Sequence, residues 1–422
     1  MPEADSPPRP EMDDEEDFDE EEMIYVGDAD EVIEELEAEN DYEMMDEDAV
    51  AIDDAITVFS KHESNRDNSF LCIITESVFC GSLTNDGKIA VTGGEDDVAY
   101  LWDTLSGEII HKCTGHEDSV FFAEFNHDFT YLATGDMKGI IKVWRMRDKA
   151  IIWDYNMGDA SWMRWHNLAN VLFAGSVEGE IYMWKIPSGE CKVFQGYGQK
   201  SEAATVITDG KKLIAGYEDG TIRVLDLKEG TVQVTISAAH SESITSLDCQ
   251  SDGKLIASAA LDGKTVLSTV QTGKIVAILQ NLQENKSNNS DTNAEESNDE
   301  LENKNYTEAV AFCKDPELHM VVSGTIRGEI FIWDTVKQAI RHKIVQEGGV
   351  SKLIWKGITP FICSAGLDGV LRCYDARTAE CCKTCCGHSN YILDVSISKN
   401  SEKILTTSDD STARIFDISD CQ

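Results

Sequence analysis

Thirteen cysteines and a recurring carboxylate are the residues of this chain whose types and spacing could do chemistry. Cys381-Cys382 and Cys385-Cys386 are separated by the interval that can deliver two zinc ligands. The run reads as a strand, however, and successive strand residues point to opposite faces. Four ligands cannot converge from one strand, and no second cysteine pair lies elsewhere, so no metal is expected. His116-Glu117 leads into Asp118-Ser119-Val120 rather than towards a second histidine, and neither a phosphate loop nor a nucleophile elbow occurs. The chain is therefore expected to be neither an enzyme nor a cofactor carrier. What does recur is an acidic residue before glycine: Glu178-Gly179, Asp219-Gly220, Asp262-Gly263 and Asp368-Gly369. Carboxylates gathered on one surface focus a negative potential and attract cations.

The elements that must position these acids form a repeat. Gly216–Asp226, GYEDGTIRVLD, ends in an apolar residue followed by Asp. Its counterparts are Trp102-Asp103, Trp144-Arg145, Trp184-Lys185, Ser268-Thr269, Trp333-Asp334, Tyr374-Asp375 and Phe416-Asp417. The steps between successive first members are 42, 40, 41, 43, 65, 41 and 42. The long step contains an Asn/Ser/Glu-rich run, residues 281–305, read as a disordered polar insert. A period of about 40–45 residues, built from short strands, is the signature of β-propeller blades. The expected fold is all-β, an eight-bladed propeller.

Within a repeat the grammar is that of hairpins. Ser77–Leu83, Lys88–Thr92 and Val98–Trp102 alternate in character, separated by Asn85-Asp86-Gly87 and Gly93–Asp97. Glycine five residues before the Trp-Asp position, as at Gly139 and Gly328, suits a tight turn with positive φ. Asp just ahead of it, in five of eight repeats, suits a side chain that bonds its own turn. Small residues such as Ala133-Thr134-Gly135 and Ala215-Gly216 are expected where strands crowd towards the propeller axis. The chain ends five residues after Asp417, so blade eight needs an outer strand from the N-terminal side. Ala55–Lys61 and Ser69–Thr75 both qualify. The first is preferred because it runs into His62, as other outer strands run into His116 and His388.

Residues 1–54 carry 26 acidic residues and one Arg, a net of −25 out of −42 for the whole chain. So charged a segment cannot bury enough apolar surface to offset its ordering entropy, and a disordered acidic tail is expected. The tail repels nucleic acid and anionic membranes and attracts basic proteins. No run approaches the ~18 apolar residues of a membrane span, and the N-terminus lacks a signal-peptide pattern. The scattered cysteines read as reduced thiols of a cytoplasmic, and also nuclear, protein. A monomer is expected. Trp165 shares its register with Phe125 and Trp355 and reads as core; Trp162 is left open between core and partner anchor.

The turns near the axis collect Glu95, Asp96, Asp97, Asp136, Glu178, Glu218, Asp219, Asp262, Asp368, Asp409 and Asp410 on one face. Lys138 and Arg327 oppose them, for a net of −9. Glu117, Asp118 and Glu242 join from neighbouring loops. This face and the tail are the candidate site for a basic protein client.

Several stretches together carry a family resemblance: Gly93–Asp97 (GGEDD), Ala133–Gly139 (ATGDMKG), Trp162–His166 (WMRWH), Gly216–Arg223 (GYEDGTIR) and Ser364–Arg372 (SAGLDGVLR). The chain resembles the angio-associated migratory cell protein family of WD-repeat propellers, itself similar to a fungal WD-repeat ribosome-assembly chaperone. The resemblance implies a client among large-subunit ribosomal proteins. The alternative that it implies is a signalling or cytoskeletal adaptor in cell migration and angiogenesis. WD repeats usually join a histidine, a Ser/Thr, the turn Asp and a Trp in a hydrogen-bonded tetrad. Here no repeat reads as complete. Repeat two has His116, Thr134 and Trp144 but Lys138 at the turn. Repeat five (His240, Ser258, Asp262) and repeat eight (His388, Thr407, Asp410) lack the Trp.

Overall fold

The computed structural model describes residues 53–60, 76–280 and 305–421. The expectations for the acidic tail, the insert and His62 lie outside the described residues. Eight four-stranded antiparallel sheets account for every regular element among those described. In blade one the order from the axis outwards is Val78–Leu83, Ile89–Gly94, Ala99–Asp103 and Ile109–Cys113. The second strands are buried along nearly their whole length, as at Lys212–Tyr217 and Lys403–Ser408, because a neighbouring blade covers each face. The outer strands are mostly exposed, as at Thr231–Ile236. This gradient is why the second strands read as apolar runs and the outer ones as mixed.

Each innermost strand packs against the next, and Ile392–Ile397 of blade eight packs against Val78–Leu83 of blade one, so the ring is closed. Blade eight takes its outer strand, Thr57–Phe59, from the N-terminal side, antiparallel to Ala413–Asp417 with Thr57 opposite Ile415. Of the two segments weighed for this place, Ala55–Lys61 contains that strand. Phe59 is buried and stacks on Trp102 at 4.7 Å, which joins blade eight to blade one. Asp53 forms an ion pair with Arg414. Opening the ring would therefore strip a strand and expose an unpaired sheet edge.

The small residues of the second strands answer to blade-to-blade packing rather than to the axis. A Cβ on Gly135 would lie 2.3 Å from Met163 Sδ, and one on Gly175 would lie 2.2 Å from Trp162 Nε1. In both cases an inner-strand side chain, from the next blade for Gly135 and from the same blade for Gly175, fills the space that the glycine leaves. Trp162, the residue left open by the sequence, is therefore core: it is 8% exposed and donates from Nε1 to Ser201 Oγ in blade four. Trp165 is core as well, with its Nε1 donating to the Glu124 carbonyl.

Candidate functional site

The turn after each second strand and the connection into each inner strand lie at the same end of the blade, because the four strands run up and down in order. A hydrogen bond ties the two together in all eight blades. The Glu95, Met137, Val177 and Glu218 amides donate to the carbonyls of Ser77, Ser119, Asp159 and Lys200, and blades five to eight repeat the bond. All fourteen acids of the candidate site thus stand on one rim of the propeller. The six turn glycines have φ between 76 and 81°; Asp97 and Ser411 take the corresponding place in blades one and eight, at 62 and 65°. Space matters there too, since a Cβ on Gly139 would overlap the Gly158 carbonyl.

The rim acids differ sharply in what they touch. Asp136 is fully buried and accepts from His116 Nδ1 at 3.3 Å and from the Glu117 and Ile140 amides. His116 Nε2 meets Thr134 Oγ1 at 2.8 Å, and Trp144 Nε1 donates to the same hydroxyl at 2.9 Å. Blade two therefore has a complete tetrad, contrary to the sequence reading. The acid comes two residues before Lys138, which the spacing rule could not show. Asp262 accepts from His240, and Asp410 from His388. The hydroxyl partner in blade eight is Thr406, not Thr407, because the strand register faces Thr406 to His388. In blade seven Gln346 stands in for the histidine, taking Ser364 Oγ at 3.0 Å, while Asp368 forms a two-bond pair with Arg372.

Burial alone would raise these carboxyls. In Asp136, Asp262 and Asp410 the hydrogen bonds from histidine and backbone outweigh it and hold them below the usual carboxylate range. Arg372 does the same for Asp368. Asp136, Asp262 and Asp410 are thus structural acids, removed from the surface that a partner would meet. Asp409 accepts from Asn390 and Ser77.

The exposed carboxylates are Glu95, Glu117, Glu178, Glu218 and Asp219, with Asp96, Asp97 and Asp118 partly exposed beside them. The five fully exposed ones all lie on blades one to four, while Glu242 of blade five is partly exposed at the same rim. Two more were missed by reading turns alone: Asp159 and Glu347, both exposed in the connections to inner strands. Glu347 stands three residues before its inner strand, the offset of Glu117, and that offset was the available signal. Apolar side chains share the arc, with Met137 46%, Val177 38% and Tyr197 37% exposed. Arg223 lies 3.7 Å over the Tyr197 ring and 5.4 Å from that of Tyr217, and Tyr197 donates to Asp219, so this rim already holds one cation against aromatic rings.

The axial channel has a different character. A cavity of about 480 Å³ there is lined by Glu124, Arg164, Lys352 and Asp394 among others. Lys352 Nζ meets Asp394 at 2.5 Å. Burial raises Glu124 and the Arg164 charge partly offsets it. The charged groups lining it are thus two acids and two bases.

Residues 107–145, 231–267 and 379–417 match the WD domain, G-beta repeat. The angio-associated migratory cell proteins of Homo sapiens and Canis lupus familiaris are each 36% identical over 81% of this chain and 77% of their own length. The chain belongs to the angio-associated migratory cell protein family. Ribosome assembly protein SQT1 of Saccharomyces cerevisiae is 22% identical, across 91% of this chain and 93% of its own. The crystal structure of Chaetomium thermophilum Sqt1 bound to the N-terminus of the ribosomal protein L10 shares the fold. Its TM-score is 0.71 at 21% identity, covering 87% of this chain and 100% of that one.

Proposed function

We propose that this protein is a non-enzymatic binding platform that shields a basic segment of a large-subunit ribosomal protein until delivery to the ribosome. One observation carries the reading: exposed acids, Glu95, Glu117, Glu178, Glu218 and Asp219, form a continuous arc on one rim. A basic segment that would otherwise bind RNA meets there a competing surface of opposite charge. Met137, Val177 and Tyr197 add apolar anchor points between the charges. The relative crystallised with the N-terminus of ribosomal protein L10 supports the choice of client class. The role calls for the cytoplasm, where such clients are made.

Calorimetric titration with the basic N-terminal peptide of a large-subunit ribosomal protein tests the reading. Affinity should fall at least tenfold between about 50 and 500 mM salt, since exposed charges are screened over that range. Affinity indifferent to salt would overturn it. Affinity purification that returned small GTPases or receptors, and no ribosomal protein, would favour the adaptor reading instead.

A further inference from the structure

Blades three and six share one plan at their third strands, Glu180-Ile181-Tyr182-Met183-Trp184 and Glu329-Ile330-Phe331-Ile332-Trp333. In both, the two rings stack, Tyr182 on Trp184 at 5.4 Å and Phe331 on Trp333 at 5.6 Å. The outer strands differ. In blade six Lys343 stands opposite Phe331, holds Nζ 5.3 Å from the centre of its ring and pairs with Glu329. Blade one repeats half of this, with Lys112 opposite Tyr100 and its Nζ 5.2 Å over the ring. In blade three the residue opposite Tyr182 is Val193. Among the described residues no Lys or Arg stands over Tyr182 or pairs with Glu180, whose carboxylate accepts from the Tyr182 hydroxyl at 2.7 Å. Blade two supplies a second wall. Tyr155 on its outer strand is 40% exposed, its ring 6.5 Å from that of Tyr182 and inclined to it by 46°. Glu180 lies two residues beyond Glu178, so this notch adjoins the acidic arc. Blade four shows what such a notch holds. Arg223, at the register of Tyr182, lies 3.7 Å over Tyr197, whose hydroxyl donates to Asp219 as that of Tyr182 does to Glu180.

We infer that Glu180, Tyr182 and Tyr155 form a receiving site for one arginine side chain of a bound partner. That the partner is the basic segment of a ribosomal protein rests on the function proposed above. The faces of the two tyrosine rings attract a cation through their quadrupoles. The Tyr182 hydroxyl takes Glu180 Oε2, which leaves Oε1 for a charge-assisted bond. Arginine suits the notch better than lysine, because a planar guanidinium can lie on a ring while it donates to a carboxylate oxygen. Blades one, four and six fill the corresponding place from their own chain, so blade three is where a partner's cation finds it open.

The test is calorimetric titration of the full chain with the basic N-terminal peptide of a large-subunit ribosomal protein. Glu180→Gln keeps an acceptor for Tyr182 but removes the charge, and should weaken binding about tenfold. Val193→Lys supplies from within the lysine that blade six has, and should weaken binding as much. Thr235→Lys adds the same charge at the same register of blade four, opposite Arg223, and should change affinity by less than about twofold. Replacing the peptide's arginines by citrulline one at a time should find one whose loss matters to the unmodified chain but not to Glu180→Gln. Thermal melting establishes that each variant is folded. Normal affinity in Glu180→Gln, or equal losses in Val193→Lys and Thr235→Lys, overturns the site and leaves the proposed function standing. A peptide that fails to bind the unmodified chain refutes the function instead. The site is then read with N-acetylarginine amide, by fluorine NMR of Tyr155 and Tyr182 in protein labelled with 3-fluorotyrosine. Shifts at both that vanish in Glu180→Gln support the site, and no shift at either overturns it.

Discussion

Blades one to four and blades five to eight build the same rim from the same turns, yet only the first half presents a run of exposed carboxylates. In blades five and eight the turn Asp is drawn inwards by a histidine four residues ahead of the inner strand. In blade seven Arg372, four residues along, neutralises it, and in blade six the turn carries Arg327. Blades three and four have no such histidine, and Glu178, Glu218 and Asp219 stay at the surface. Blade two does both: it buries Asp136 against His116 and leaves Glu117 outside. Whether a rim carboxylate recruits a partner or holds a blade together thus depends on a second residue, a histidine some twenty positions away or, for Asp368, an arginine four positions along.

The contrast can be broken most directly on the open arc. Reversing Glu95, Asp96 and Asp97 together to Lys should weaken binding of a basic ribosomal-protein peptide at least a hundredfold. Three charge-assisted contacts at about 1.5–3 kcal/mol each would more than account for that loss. Calorimetry on the folded variant checks it, and a change under threefold would remove the arc from the binding site.

A smaller effect, on stability alone, should come from Asp136→Ala. It leaves the buried His116 ring and two amides without their acceptor, at about 1–3 kcal/mol for each group left unsatisfied. Chemical denaturation should show the loss, while peptide affinity of the folded variant stays within about twofold, well below one 1.4 kcal/mol step. Loss of affinity without loss of stability would reassign Asp136 to the surface.

Acid should remove the stability that the structural acids of the rim supply. The carboxyls of Asp136, Asp262, Asp368 and Asp410 sit below the ordinary range when folded. The stability they contribute is therefore complete above about pH 4, the ordinary Asp value, and is lost as pH falls through the lower folded values. Melting temperature followed from pH 7 to 2 should hold level with respect to these groups and then drop below about pH 4. A His240→Ala/His388→Ala variant should show a shallower drop. The smallest effect belongs to Asp368→Asn, which should change peptide affinity by less than twofold, because Arg372 already answers that charge.

The sequence went far towards the fold for a definite reason. A propeller repeats one local unit, so spacing, turn glycines and alternating strands reported the blades without long-range information. Trp162 was harder, because a lone indole in a strand is compatible with either core or interface. Only Gly175 of the same blade and Ser201 of the next show that its ring is enclosed. The tetrad of blade two was missed because Asp136 lies off the expected offset, and hydrogen bonding follows side-chain reach rather than position in a motif.

By itself, then, the sequence determined the number of blades, the turns that carry acids and the excess of negative charge, since each depends on residue type and period alone. The tertiary structure decided which carboxylates remain available, what the small residues face and which hydroxyl each rim histidine meets. Those depend on neighbours brought together by ring closure, and neither type nor period specifies the orientation of one side chain towards another across blades.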